Sequence, residues 1–77
     1  MEAIEIARKL AALGSAAEAR DAYRLVIHQG GDPAGELEAA VYILQSGGDY
    51  KISYTCFRSL YNRGCFREEV LALMTGA

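Results

Sequence analysis

The side chains able to act as nucleophile, base or metal ligand are His28, Cys56, Cys65 and the glutamate pairs Glu36/Glu38 and Glu68/Glu69. A metal centre needs convergent ligands, yet the two cysteines stand nine residues apart and no second histidine exists. The same spacing gives no support for a Cys-His nucleophile pair. His28 reads as a partly exposed helix-end residue, Cys56 as a small buried hydrophobe and Cys65 as the more exposed, more reactive thiol. Adjacent or next-but-one carboxylates do not share one helical face, so the glutamate pairs read as solvated first-turn charges rather than an acid/base couple. Gly30-Gly31 and Gly47-Gly48 lack the lysine and strand context of a phosphate loop and read as helix stops. The expectation is therefore no catalytic site, no metal and no cofactor.

Seventy-seven residues hold one domain, and a core of that size gives marginal stability on its own, which points to a partner. Ten acidic against eight basic side chains, with no cationic run longer than Arg8-Lys9, speak against a broad nucleic-acid footprint. Charge is segregated: Asp32, Glu36, Glu38 and Asp49 precede Lys51, Arg58, Arg63 and Arg67, which could pair across neighbouring helices. No apolar run suffices to cross a bilayer and the first residues lack a secretion-signal pattern, so no membrane association and a cytoplasmic location are expected.

The spacing of apolar residues predicts five helices, and hence an all-α fold. Ala3, Ile6, Ala7, Leu10 and Leu13 define an inward row for a first helix over 2–13, ended by Gly14. Ser15 with Glu18 reads as a capping box opening a second helix whose stripe is Ala19, Ala22, Tyr23, Val26 and Ile27. Asp32-Pro33 starts a third, with inward Leu37, Ala40, Val41 and Leu44 and a stop at Ser46-Gly47-Gly48. Asp49 caps a fourth, facing inward through Ser53, Cys56, Phe57, Leu60 and Tyr61. A short fifth, 66–74, carries Val70, Leu71 and Met74, and Thr75 to Ala77 should fray. Strand-tolerant residues in 50–60 raise a β alternative, but the flanking segments end on glycine stops and none alternates over a strand length.

A shift of thirty-four residues aligns Leu10 with Leu44, Gly14 with Gly48, Tyr23 with Phe57, Val26 with Leu60, Gly30 with Gly64 and Arg8 with Tyr42. The second-helix set Ala19, Tyr23, Val26, echoed by Ser53, Phe57, Leu60, resembles that of the tetratricopeptide repeat. The usual glycine of the first helix is Ala7 in one copy and Val41 in the other, and the proline after the second helix is absent at Gly31 and Cys65. The resemblance implies a right-handed stack of antiparallel helix pairs: repeat one about 1–31, repeat two about 32–65, and a capping helix about 66–74, in one domain over 1–77. It also implies a concave side showing Ile4, Arg8, Ala11 and Ala12, then Glu38, Tyr42, Gln45 and Ser46. Since Arg8 is the lone cation there and Glu38 would oppose a carboxylate, the terminal-carboxylate ligand of some family members is not expected.

Tyr42, Tyr50, Tyr54, Phe57 and Tyr61 cluster in twenty residues. Tyr42 and Tyr54 fall off the inward rows, as aromatics kept for another protein would, the alternative being that they pack on the short fifth helix. The leading expectation is a non-enzymatic adaptor or chaperone-like module that binds a helix or peptide of a partner protein through Ile4, Arg8, Glu38, Tyr42, Gln45 and Tyr54. The alternatives are a structural or self-associating repeat domain, a homodimer included, of a larger protein, and, more weakly, a helical nucleic-acid binder using Lys51, Arg58 and Arg63.

Overall fold

A computed structural model of the chain describes residues 2–47 and 49–76. It contains five helices, α1 (Ala3–Ala12), α2 (Ala16–Gln29), α3 (Pro33–Gln45), α4 (Tyr50–Asn62) and α5 (Arg67–Thr75), and no strand among the described residues. Each helix packs on its neighbour in sequence. No helix among those residues is long and apolar enough to cross a membrane.

Local chemistry sets the boundaries. Asp32 Oδ1 accepts the Ala34 amide at 3.2 Å and Asp49 Oδ1 accepts the Lys51 amide at 2.9 Å, so two helix starts use the carboxylate caps the sequence offers. The Ser15–Glu18 capping box does not form: Ser15 sits at the N-cap position without a side-chain cap bond. Its own amide is already taken by the Leu10 carbonyl at 3.0 Å, closing the turn around left-handed Gly14 and leaving Glu18 nothing to satisfy. The end of α4 repeats this closure, with the Cys65 amide on the Leu60 carbonyl at 2.9 Å around left-handed Gly64. The fifth helix begins one residue later than expected, because Phe66 adopts φ 53° and ψ 42° and stands outside it as the N-cap residue. A bulky side chain in that region costs about 1–2 kcal/mol, which the α4–α5 packing must offset.

Two clusters form the core. Ala7, Ala22, Tyr23, Ala39 and Ile43 make the first, and Ala40, Cys56, Phe57, Leu60 and Val70 the second. The inward faces of α2 and α4 are those expected. The faces of α1 and α3 differ. In α3 the buried row is Gly35, Glu36, Ala39, Ala40 and Ile43, while Leu37, Val41 and Leu44 are half-buried on its flank. In α1 only Ala7 is fully buried, with Ile4, Leu10 and Ala11 packed around it; Ile6 and Leu13 face solvent at 41% and 78% exposure. Leu71 of α5 is likewise 49% exposed, and Val70, Leu73 and Met74 carry its packing.

For α3 the difference goes with the turn that follows it. Buried Ala19, Ala22 and Tyr23 and half-buried Val26 match buried Ser53, Cys56, Phe57 and Leu60 at a shift of thirty-four, but buried Ala7 and half-buried Leu10 match buried Ala40 and Ile43 at thirty-three. Left-handed Gly14 likewise matches left-handed Gly47, and the second turn is one residue longer. The residue aligned with Gly14 in the sequence, at position 48, lies outside the described residues, as does the last residue expected to fray. One residue is 100° on a helix, enough to turn Leu37 and Val41 to the flank and Glu36 to the interior.

Candidate functional site

α1 packs on α2 and α2 on α3 through small inward side chains, and longer polar residues of the three helices meet at the edge of those contacts. Arg8 of α1 grips Glu38 of α3 with both ends of its guanidinium, Nε to Oε2 at 2.9 Å and Nη2 to Oε1 at 2.7 Å. The Tyr23 hydroxyl of α2 donates to the same Oε2 at 2.9 Å. Tyr42 lies on the Tyr23 ring, centroids 4.9 Å apart and planes inclined by 37°. The bond from Arg8 holds the Glu38 carboxyl below the usual carboxylate range, and Glu38 in turn secures the proton on Arg8. Burial, with the bond to Glu38 adding to it, pushes the Tyr23 phenol up to about 12.

Beside this network opens a groove of about 410 Å³ along α3, its apolar lining supplied by Leu37, Val41 and Tyr42 and its polar lining by Glu38 and Gln45. The structure thus brings Arg8, Glu38, Tyr42 and Gln45 together, as expected, but in altered roles. Tyr42 is half-buried and packed on the first core cluster rather than free of the core, and its counterpart in the structural register is Lys9, not Arg8. Arg8 is consumed by Glu38, so the groove offers no free cation from that residue. Ile4 packs against the core and lines, with Arg8, Val26 and Gly35, a neighbouring depression of about 550 Å³. Tyr54 is not part of the group: it lies on α4, 37% exposed, with its ring against Tyr50 and Phe57 at 6.1 Å and 6.0 Å. Tyr23, read from the sequence as a core residue only, is the hub. The available signal was its hydroxyl, which needs a polar partner when the ring is buried.

The second polar group corrects the reading of Glu36 as a solvated charge. Glu36 is 5% exposed, its Oε1 accepts Arg63 Nη2 at 2.9 Å, and its Oε2 has no partner among the described residues. Glu38 is also paired rather than merely solvated. Cys56 Sγ lies 3.6 Å from the Glu36 carbonyl oxygen, and burial, reinforced by the Glu36 carboxylate, pushes its thiol up to about 11. Such a thiol stays protonated near neutrality and makes a poor nucleophile. Cys65 is half-buried against the second cluster rather than exposed. His28 is exposed in the last turn of α2. No group of three or more metal-ligating side chains converges among the described residues. Comparison with protein-family models, with curated proteins and with solved structures finds no match to this chain.

Proposed function

We propose that the chain is a non-enzymatic protein-binding module, adaptor or chaperone-like, that receives a helix or peptide of a partner along α3. The observation that carries this is the α3 groove, where Leu37, Val41 and Tyr42 offer an apolar wall bounded by the polar Glu38 and Gln45. Apolar area flanked by fixed polar groups is the usual composition of a peptide site. The register of buried residues also supports a tetratricopeptide-like stack: with Ala40 rather than Val41 matched to Ala7, both copies carry a small side chain where that family has glycine. The test places a photo-crosslinking residue at Gln45, on the groove, and at Glu18, exposed on α2. Adducts with a protein partner from position 45 alone are expected. Equal adducts from both positions would overturn the reading.

A second reading, self-association, is favoured by Ile6 and Leu13 on α1 and Leu71 on α5, which expose apolar surface. Light scattering over a dilution series separates the two, because self-pairing gives a mass that falls on dilution.

A further inference from the structure

Of the described residues that line the α3 groove, Glu38 alone carries a formal charge, and that charge is already met. Its Oε1 accepts Arg8 Nη2 at 2.7 Å, and its Oε2 accepts both Arg8 Nε and the Tyr23 hydroxyl at 2.9 Å. Tyr23 spends its one hydroxyl proton in that bond. Arg8 is not itself in the lining: it reaches across from α1 and cancels the charge of a residue that is. The pair is partly exposed and adds little to stability, but the cancellation of charge does not depend on that. Arg20 donates to the Ser46 carbonyl at 2.9 Å and is likewise outside the lining. Among the described residues, the lining groups without a hydrogen-bond partner are the Tyr42 hydroxyl and the Gln45 carboxamide, both neutral.

On the reading of this groove as a partner site, we propose that it selects an amphipathic helix whose contacting face is free of charge, and that Arg8 sets the selection by neutralising Glu38. A lysine or glutamate pressed against Leu37, Val41 and Tyr42 would lose its hydration and meet no unpaired opposite charge, so its burial would go uncompensated. An aliphatic side chain gains there, and an asparagine or glutamine beside it can exchange hydrogen bonds with Gln45 and the Tyr42 hydroxyl. Selection is thus by exclusion of charge as much as by attraction. A helix rather than an extended strand is the occupant, because the described residues provide no strand edge for main-chain pairing and an incoming helix satisfies its own backbone. Without Arg8, Glu38 would keep only the Tyr23 bond and present its negative charge, and the groove would turn to cationic partners. Arg8 therefore determines specificity from outside the groove.

The probes are synthetic helical peptides with leucines at i, i+3, i+4 and i+7 and, in the positions bordering the leucines, glutamine, lysine or glutamate. Amide chemical shifts of the full chain are followed during titration. The glutamine peptide should perturb residues 37–45 and bind about tenfold or more tightly than either charged peptide, with an affinity that changes less than about twofold between about 0.05 and 0.5 M salt. In Arg8→Gln the lysine peptide should gain about tenfold, in a salt-sensitive way, and in Arg8→Gln with Glu38→Gln that gain should vanish. Circular dichroism checks that each variant is folded; where Arg8→Gln is not, the ranking of the peptides on the parent chain and its salt dependence decide. If no peptide perturbs residues 37–45, the groove is not a partner site and both readings fall. If the peptides bind there alike, if a charged one binds more tightly to the parent, or if folded Arg8→Gln gains nothing for lysine, the selection by charge is overturned while the groove stands as a binding site.

Discussion

Truncation of Tyr42 tests the link between core and groove. In Tyr42→Ala the chain loses a half-buried ring packed on Ile43's cluster and stacked on Tyr23 at 4.9 Å. A fully buried tyrosine removes roughly 200 Å² from water, so half of that at about 25 cal/mol per Å² is about 2.5 kcal/mol. The ring pair adds about 0.5–1.5 kcal/mol, whereas a compact unfolded chain and partial collapse of the gap subtract a comparable amount. The expected loss is about 2 kcal/mol, in place of the small change that a purely outward tyrosine would give. In a 77-residue domain this corresponds to a fall in Tm of about 8–16 °C. Tyr42→Phe keeps the ring and, the hydroxyl having no partner among the described residues, should stay within about 0.5 kcal/mol. Urea and thermal melts followed by far-ultraviolet circular dichroism measure both. If Tyr42→Ala unfolds with the parent, or Tyr42→Phe loses as much as Tyr42→Ala, the packing argument fails.

Ile43 is fully buried, so Ile43→Ala should cost about 3 kcal/mol in a urea melt, and a loss below about 1 kcal/mol would contradict the observed α3 face. A Cβ at Gly35 would meet Asp32 Oδ2, Ile4 Cδ1 and Val26 Cγ1 at 3.7 Å each, ordinary contact, so Gly35→Ala should stabilise by about 0.5–1 kcal/mol; destabilisation would mean that α1 and α3 sit closer than described. Because the folded Tyr23 phenol is raised from 10 to about 12, folding favours its neutral form, so this contribution is intact below pH 10 and lost as pH climbs from 10 through 12. Two full units would be about 2.7 kcal/mol; solvent screening around Arg8 and Glu38 reduces the expected loss to about 1–2 kcal/mol, and an unchanged alkaline slope in Tyr23→Phe would refute the assignment.

Helices α2 and α4 were legible because each pairs a single apolar stripe with an opposite polar face, so period alone selects the inward side. In α3, by contrast, Gly35, Ala39 and Ala40 lie on one side and Leu37, Val41 and Leu44 on the next, and a purely apolar criterion favours the larger set. The buried side is the one that α3 turns to α2 and α4, which pack on it and meet there Ala39, Ala40 and Ile43. The repeat added to the ambiguity, since one shift imposed on both helices hides the extra residue in the second turn. Leu13 was misplaced for a simpler reason: α1 ends at Ala12, and no element covers the residue beyond it. Of the candidate site, Arg8, Glu38, Tyr42 and Gln45 were legible as neighbours on the first helices of the repeat. The neutralisation of Arg8 was not, because it depends on a distance between two helices that periodicity does not contain.

The small inward row of α3 also explains why there is a groove. A helix buried through Ala39 and Ala40 contributes little apolar area to the core per turn, and its larger neighbours Leu37, Val41 and Tyr42 stay partly wetted on the flank. Had the larger row faced inward, the helices would stand further apart, Arg8 would not span to Glu38, and the flank would be polar. The inward row of small side chains and the half-buried apolar wall beside it are therefore two results of the same residue order, and under the proposed function a partner on that wall would add apolar burial.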